Sequence, residues 1–136
     1  MNWTKHPVRI LTLLLSCALL FTACKKDKDE NPAGGGGYPK EVTIEYRVTT
    51  TTSTLKKASV TYINETGGHS TDDAAALPFS KKFKKSVKQY DVILVSGMAL
   101  VGGNFTLEIL VNDKVVKTES FSGTSTITGS TAYGFE

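Results

Sequence analysis

Apolar and polar residues alternate along most of the chain from Glu41 onward. A period of two places successive side chains on opposite faces of an extended strand, so that one face is buried and the other is wet. The two clearest runs lie near the start of this region and between residues 105 and 111. Their apolar positions are Val42, Ile44, Tyr46, Val48, Phe105, Leu107, Ile109 and Val111. The pattern therefore predicts β-strands.

Turn-forming residues separate the predicted strands at regular intervals. The clusters at 64–68, 101–104 and 112–114 are rich in Gly, Asn and Asp, which tolerate the backbone angles of tight turns. Residues 90–95 are nearly all apolar, which predicts a central strand covered on both faces. With a last strand at about 124–135, we expect an all-β fold: a small antiparallel β-sandwich, immunoglobulin-like, with seven to eight strands.

The stretch from Phe79 to Lys88 fits two structures. Phe79, Phe83 and Val87 lie four residues apart, as on one face of a helix, but they also share the parity of a strand. We predict an edge strand, because the flanking segments are strand-like and because lysines at a sheet edge block aggregation.

One helical turn is expected ahead of this strand, at residues 74–77. The next residue is Pro78, and proline disfavours helical geometry at the residue before it. The turn would therefore end there, and the remainder of the domain would be strand and loop.

The first two dozen residues have the pattern of a secretory signal. Lys5 and Arg9 precede an apolar run that begins at Ile10, and small residues lead to Cys24. The run is too short for a membrane-spanning helix, which needs about 20 residues. Its end resembles the lipobox of bacterial lipoproteins, in which the cysteine becomes the lipidated first residue.

The sequence therefore predicts three parts. Residues 1–23 are a lipoprotein signal peptide, 24–40 are the lipidated cysteine and a flexible Gly-rich tether, and 41–136 are the β-sandwich domain. The charged run at 25–30 resembles the sorting signal of Bacteroidetes-type surface lipoproteins. The expected location is the cell envelope, lipid-anchored to the outer membrane at Cys24, on either the periplasmic or the surface-exposed side.

Charge gives no support for nucleic-acid binding. The whole chain carries a formal charge of +3, but Lys5 and Arg9 leave with the signal, and the remainder is close to neutral. The one dense cluster of cations consists of Lys81, Lys82, Lys84, Lys85 and Lys88. This cluster could contact anionic lipid head groups or an acidic partner, or it could serve only to protect the edge and keep the protein soluble.

Candidate catalytic groups are sparse. Nucleophilic catalysis needs a base beside the nucleophile, and the chain after the signal has a single histidine, His69. Asp72 and Asp73 beside it could hold a cation weakly, but the spacing of a calcium loop is missing. We therefore expect a monomeric domain with no enzyme activity, no cofactor and no metal.

The region from Glu45 to Gly134 resembles the MmpS-type accessory proteins of membrane transport. The similar segments are Glu45–Thr49, Ala58–Tyr62, Leu77–Lys81 and Phe105–Lys117. Members of that family form a small β-sandwich, usually with tryptophan where Phe79 stands, and assist large exporters of lipids or siderophores. The resemblance implies a non-catalytic accessory or binding module of a membrane transport or surface complex. The alternative is a surface-exposed lipoprotein that binds a glycan or a host protein.

Overall fold

The structure, a computed structural model, describes residues 37–136, which contain eight strands and no helix. The strands are β1 (Lys40–Thr49), β2 (Lys57–Ile63), β3 (His69–Ala76), β4 (Phe79–Val87), β5 (Val92–Ala99), β6 (Gly103–Val111), β7 (Lys114–Gly123) and β8 (Ile127–Gly134). The period-two segments of the sequence thus all form strands, since each can bury one face.

The strands form two four-stranded sheets in which every pair is antiparallel. Sheet A has the order β4-β1-β6-β7 and sheet B the order β3-β2-β5-β8. The predicted all-β antiparallel sandwich is confirmed. Strands β1, β2, β3, β4, β5 and β8 pair in the order of immunoglobulin strands B, C, C′, E, F and G, and the β6–β7 hairpin occupies the place of strand A beside β1.

The core lies between the sheets, where large and small side chains interdigitate. Phe105 and Phe121 are paired across sheet A, and Gly97 and Gly129 are paired across sheet B. A Cβ atom added at Gly97 would meet the ring of Phe105, and one added at Gly129 would meet the ring of Phe121. The paired glycines therefore leave the space that the paired rings fill, as close packing requires.

Two local expectations are wrong. Residues 74–76 belong to β3 and form no helical turn, because Ala75 pairs with Ala58 and packs into the core. Strand β5 is central in its sheet, but it is covered on one face only. Val92 is 52% exposed, and Leu94 is half-buried, because no further layer covers the outer face of sheet B within residues 37–136.

Strand direction gives the sandwich two distinct ends. The described chain begins at one end, the base, where the Tyr38 hydroxyl donates to the carbonyl of Glu136 over 2.9 Å. Because successive strands alternate in direction, the turns at 64–68 and 112–113 also lie at the base. The loops of the opposite, far end are 50–56, 77–78, 100–102 and 124–126.

Candidate functional site: the lysine strand and the open side of the sandwich

The lysine-rich stretch forms an edge strand, as predicted. β4 pairs with β1 on one side and lies at the end of the sheet A order. Phe83 stands opposite Ile44 in the register, and Val87 is fully buried. These apolar contacts fix the strand, and the lysines occupy the positions between them.

The alternation of the strand divides the lysine cluster between two faces. Lys82 and Lys84 lie on the outer face of sheet A, whereas Lys81 and Lys85 share the parity of the core-facing Phe83. Lys88 follows the end of β4 at the base. The five lysines therefore do not form one continuous cationic surface.

Carboxylates accompany the outer-face lysines. The Lys82 ammonium contacts Asp113 and lies 3.9 Å from Glu45 Oε2. The Lys84 ammonium lies 3.1 Å from Glu41 Oε1, with both side chains more than two-thirds exposed. Exposed pairs of this kind contribute little to stability, but they offset much of the positive charge that the sequence places on β4.

Glu45 is a buried charged residue that the sequence does not single out. Glu45 is only 7% exposed, although it lies on the outer face of sheet A. Arg47 donates to it from Nε over 2.6 Å and from Nη2 over 3.1 Å, and the Ser80 hydroxyl donates over 2.9 Å. The hydrogen bond from Arg47 lowers the pKa of Glu45 despite opposing desolvation. The spacing of Glu45 and Arg47 signals a shared face, but only the register brings Ser80 beside them.

Lys85 joins the two sheets instead of facing solvent freely. Its ammonium donates to the carbonyls of Asn64 over 3.3 Å and Glu65 over 3.1 Å, both in the β2–β3 turn. Nearby, the buried Tyr46 hydroxyl donates to the carbonyl of Ile63 over 2.9 Å. Burial raises the pKa of Tyr46, so this hydroxyl remains a donor. Beside Lys85, a groove of about 380 Å³ separates the turn from the β4–β5 loop.

The side of the sandwich at which β3 and β4 form the edges is open, and we call it the open side. At the opposite side β7 packs against β8, whereas β3 and β4 do not approach each other closely. Half-buried rings line the opening. Tyr62 lies 5.5 Å from Tyr46 and 6.1 Å from Phe79, and Tyr46 lies 5.9 Å from Phe83, measured between ring centroids. The open side thus combines aromatic rings with charged edge strands.

The acidic residues near His69 lie on β3, the other edge of the open side. His69 is the first residue of β3 and is exposed. Asp72 stands opposite Val60 in the register, and Asp73 Oδ1 lies 3.4 Å from the Ser59 hydroxyl on the other face. Across residues 37–136, no three His, Cys, Asp or Glu side chains are grouped so that they could hold a metal ion.

The far end carries hydroxyl groups and an exposed apolar tip. Asn104 fixes the threonine-rich β1–β2 loop: its Oδ1 accepts from Thr51 N over 3.1 Å, and its own N donates to Thr52 Oγ1 over 3.0 Å. In the neighbouring β5–β6 loop, Leu100 is 75% exposed and Val101 is 49% exposed. This end therefore presents ordered loops around an uncovered apolar pair.

Cys24, the predicted signal peptide and nearly all of the predicted tether lie outside the described residues. No helix of residues 37–136 is long and apolar enough to cross a membrane. No known family model matches the chain, and no curated protein matches its sequence.

Proposed function

We propose that this chain is a non-catalytic lipoprotein of the cell envelope that is anchored through Cys24 and binds a partner with its sandwich domain. The observation that carries the proposal is the cysteine at the end of a short apolar run, followed by a Gly-rich segment that leads to the base of the sandwich. Attachment at one end leaves the remaining surfaces free for contact.

The arrangement of the domain supports a binding role. The described chain both begins and ends at the base, where Tyr38 contacts Glu136. A strand of ten residues spans about 33 Å at 3.3 Å per residue, so β1 carries the chain well away from the attachment point. The loops of the far end, with the exposed pair Leu100 and Val101, are then the part of the domain farthest from the attachment point. Scaffold-held loops are common binding sites.

The partner class that we propose is a membrane transport or surface complex, in line with the MmpS-like segments. The alternative, a binder of glycan or host protein, has less support from the exposed side chains. Glycan sites often stack sugars on aromatic rings, and among the strongly exposed large apolar residues of 37–136 Tyr90 is the one aromatic. Lys82 and Lys84 of β4 are already paired with carboxylates of the same chain. We therefore place the proposed partner contact at the far end.

Replacement of Cys24 tests the anchor. Cys24→Ala should release the domain from membranes or leave an uncleaved precursor, because acyl chains provide about 0.8 kcal/mol per buried methylene. Cys17→Ala is the matched control, since it removes the other cysteine from within the signal and should leave fractionation unchanged. Membrane-bound, acylated, mature-sized Cys24→Ala protein would refute the anchor.

A second experiment tests the binding end. A photo-crosslinking side chain at Leu100 should form adducts with one envelope protein, whereas the same group at Val115, 51% exposed at the base, should not. Leu100→Asp should weaken capture of that protein, and Val115→Asp should not. Equal adducts from both positions would contradict a role of the far end.

A further inference from the structure

We propose that two copies of this chain associate through their open sides, with β4 of each copy pairing antiparallel with β3 of the other. The occupant of the open side is thus a second copy of the same chain. The pairing concerns a surface that the proposed partner contact at the far end does not use.

Within residues 37–136, both strands have an edge without a neighbouring strand. β4 ends the order of sheet A and β3 ends the order of sheet B, on the same side of the sandwich. Each therefore presents a row of backbone N–H and C=O groups that can pair with another chain. Association of two edges would satisfy these groups twice, once in each sheet.

Only one arrangement joins β4 to β3 antiparallel at both contacts of a symmetric pair. β3 runs from the base to the far end, and β4 runs back from the far end to the base. Rotation about a twofold axis parallel to the strands places sheet B of the second copy in the same layer as sheet A of the first. The rotation leaves the direction of every strand unchanged. It therefore sets β4 of one copy beside β3 of the other in the same layer, and the interface is isologous.

The charges of the two strands are complementary. β4 carries four lysines and β3 carries Asp72 and Asp73. Residues opposite each other in an antiparallel pair share a face. With Lys81 opposite Asp72 on the core-facing side, Asp73 stands opposite Ser80 on the outer face and diagonal to Lys82. Pairing of β4 with β4 or of β3 with β3 would instead oppose like charges, so the same residues select the mixed pair.

The apolar content of the opening supports the same arrangement. Tyr62, Phe79 and Phe83 are only partly buried, and they lie between the two charged edges. A second copy would cover these rings and pair Lys81 with Asp72 beside them, and the outer-face charges would stay at the rim, as is usual in a protein interface. At the opposite side of the sandwich β8 contains no charged residue, and this complementarity is missing.

The twofold axis also suits attachment to a membrane. An axis parallel to the strands leaves the bases of both copies at the same end of the pair, so two tethers can reach one bilayer. This point rests on the proposed function, whereas the charge and register arguments do not. The proposed pair differs from the expectation of a monomeric domain, and the experiments below distinguish the two.

A charge exchange on the full-length chain in detergent tests the proposal. One variant carries Lys81→Glu and Lys82→Glu, and another carries Asp72→Lys and Asp73→Lys. Each alone should dimerise at least about tenfold more weakly than the wild type in sedimentation equilibrium, because like charges then face each other. An equal mixture of the two should restore dimers, since both β3–β4 contacts become complementary again. Lys56→Glu with Lys117→Glu is the control for net charge and should dimerise like the wild type.

Carbodiimide coupling of isotope-mixed protein gives a second measurement. It should yield amide links between a β4 lysine of one copy and Asp72 or Asp73 of another, recognised by their mixed isotope mass. A wild type that is monomeric at every concentration, or variants that dimerise no better when mixed than when alone, would overturn the proposal. Because the measurement is made in detergent, it separates failure of pairing from failure of the Cys24 anchor.

Discussion

The two long sides of the sandwich are closed in different ways. At the β7–β8 side the ring of Phe121 fills the space left by Gly129, and the Thr131 hydroxyl donates to Glu119 over 3.2 Å. At the open side, polar groups reach across the gap: Lys85 donates to the β2–β3 turn, and Tyr46 donates to Ile63. The rings there remain half-buried. Close packing closes the β7–β8 side of this small domain, whereas the open side keeps partly exposed apolar and charged groups.

The first consequence is a difference in tolerance to substitution. Gly129→Val should destabilise the domain by about 3 kcal/mol, since the added side chain would occupy the position of the Phe121 ring. Gly134→Val on the same strand is the control, because a Cβ there meets nothing within 4 Å. Urea unfolding measures both. Similar urea midpoints for the two variants would mean that the contact of Phe121 with Gly129 does not hold the β7–β8 side together.

Near the open side, we expect stability to depend on a charged hydrogen-bonding group more than on close packing. Glu45 accepts hydrogen bonds from Arg47 of its own strand and Ser80 of β4, and thereby helps to hold β4 on the sheet. Glu45→Gln should destabilise the domain by about 1.5–2 kcal/mol at pH 7, in the range of hydrogen bonds to charged groups. Glu41→Gln, which removes an exposed pair with Lys84, is the control and should change stability within about 0.5 kcal/mol.

The pH dependence of the unfolding free energy tests whether the ionised carboxylate of Glu45 stabilises the domain. Because the hydrogen bonds of the folded state lower the pKa of Glu45 from its ordinary value, its stabilising contribution is present above the unfolded-state pKa and is lost as the pH falls through the folded-state pKa. The wild type should therefore lose stability in acid more steeply than Glu45→Gln. Parallel acid limbs in thermal unfolding between pH 6 and about pH 3 would exclude this role of Glu45.

A smaller effect is expected from the tyrosine link. Tyr46→Phe keeps the buried ring but removes the donor to the Ile63 carbonyl, which should cost about 1 kcal/mol. Tyr62→Phe, on a half-buried ring of the same cluster, should cost less than about 0.5 kcal/mol. If Tyr62→Phe lowers the unfolding free energy more than Tyr46→Phe does, the hydrogen bond from Tyr46 to Ile63 is not the main stabilising contact of the open side.

The sequence predicts the sandwich well because its signals are local. Alternation defines β1 and β6, and Asn112 and Asp113 adopt the positive φ angles of 50° and 65° that their residue types tolerate in a tight hairpin. The site is less predictable because it depends on register. The alternation of β4 does not say that Lys82 meets Asp113, nor does the composition of β3 show that Ala75 is drawn into the core. Long-range pairing decides both.

Amide hydrogen exchange of the full-length chain, compared at low and high protein concentration, tests most directly whether the open side is an interface. Edge strands exchange quickly where their amides have no partner. With rising concentration, the unpaired amides of β3 and β4 should slow, whereas the edge amides of β7 should exchange at an unchanged rate. Exchange of β3 and β4 that does not depend on concentration, or equal slowing at β7, would contradict the assignment of the open side as the surface for a second copy.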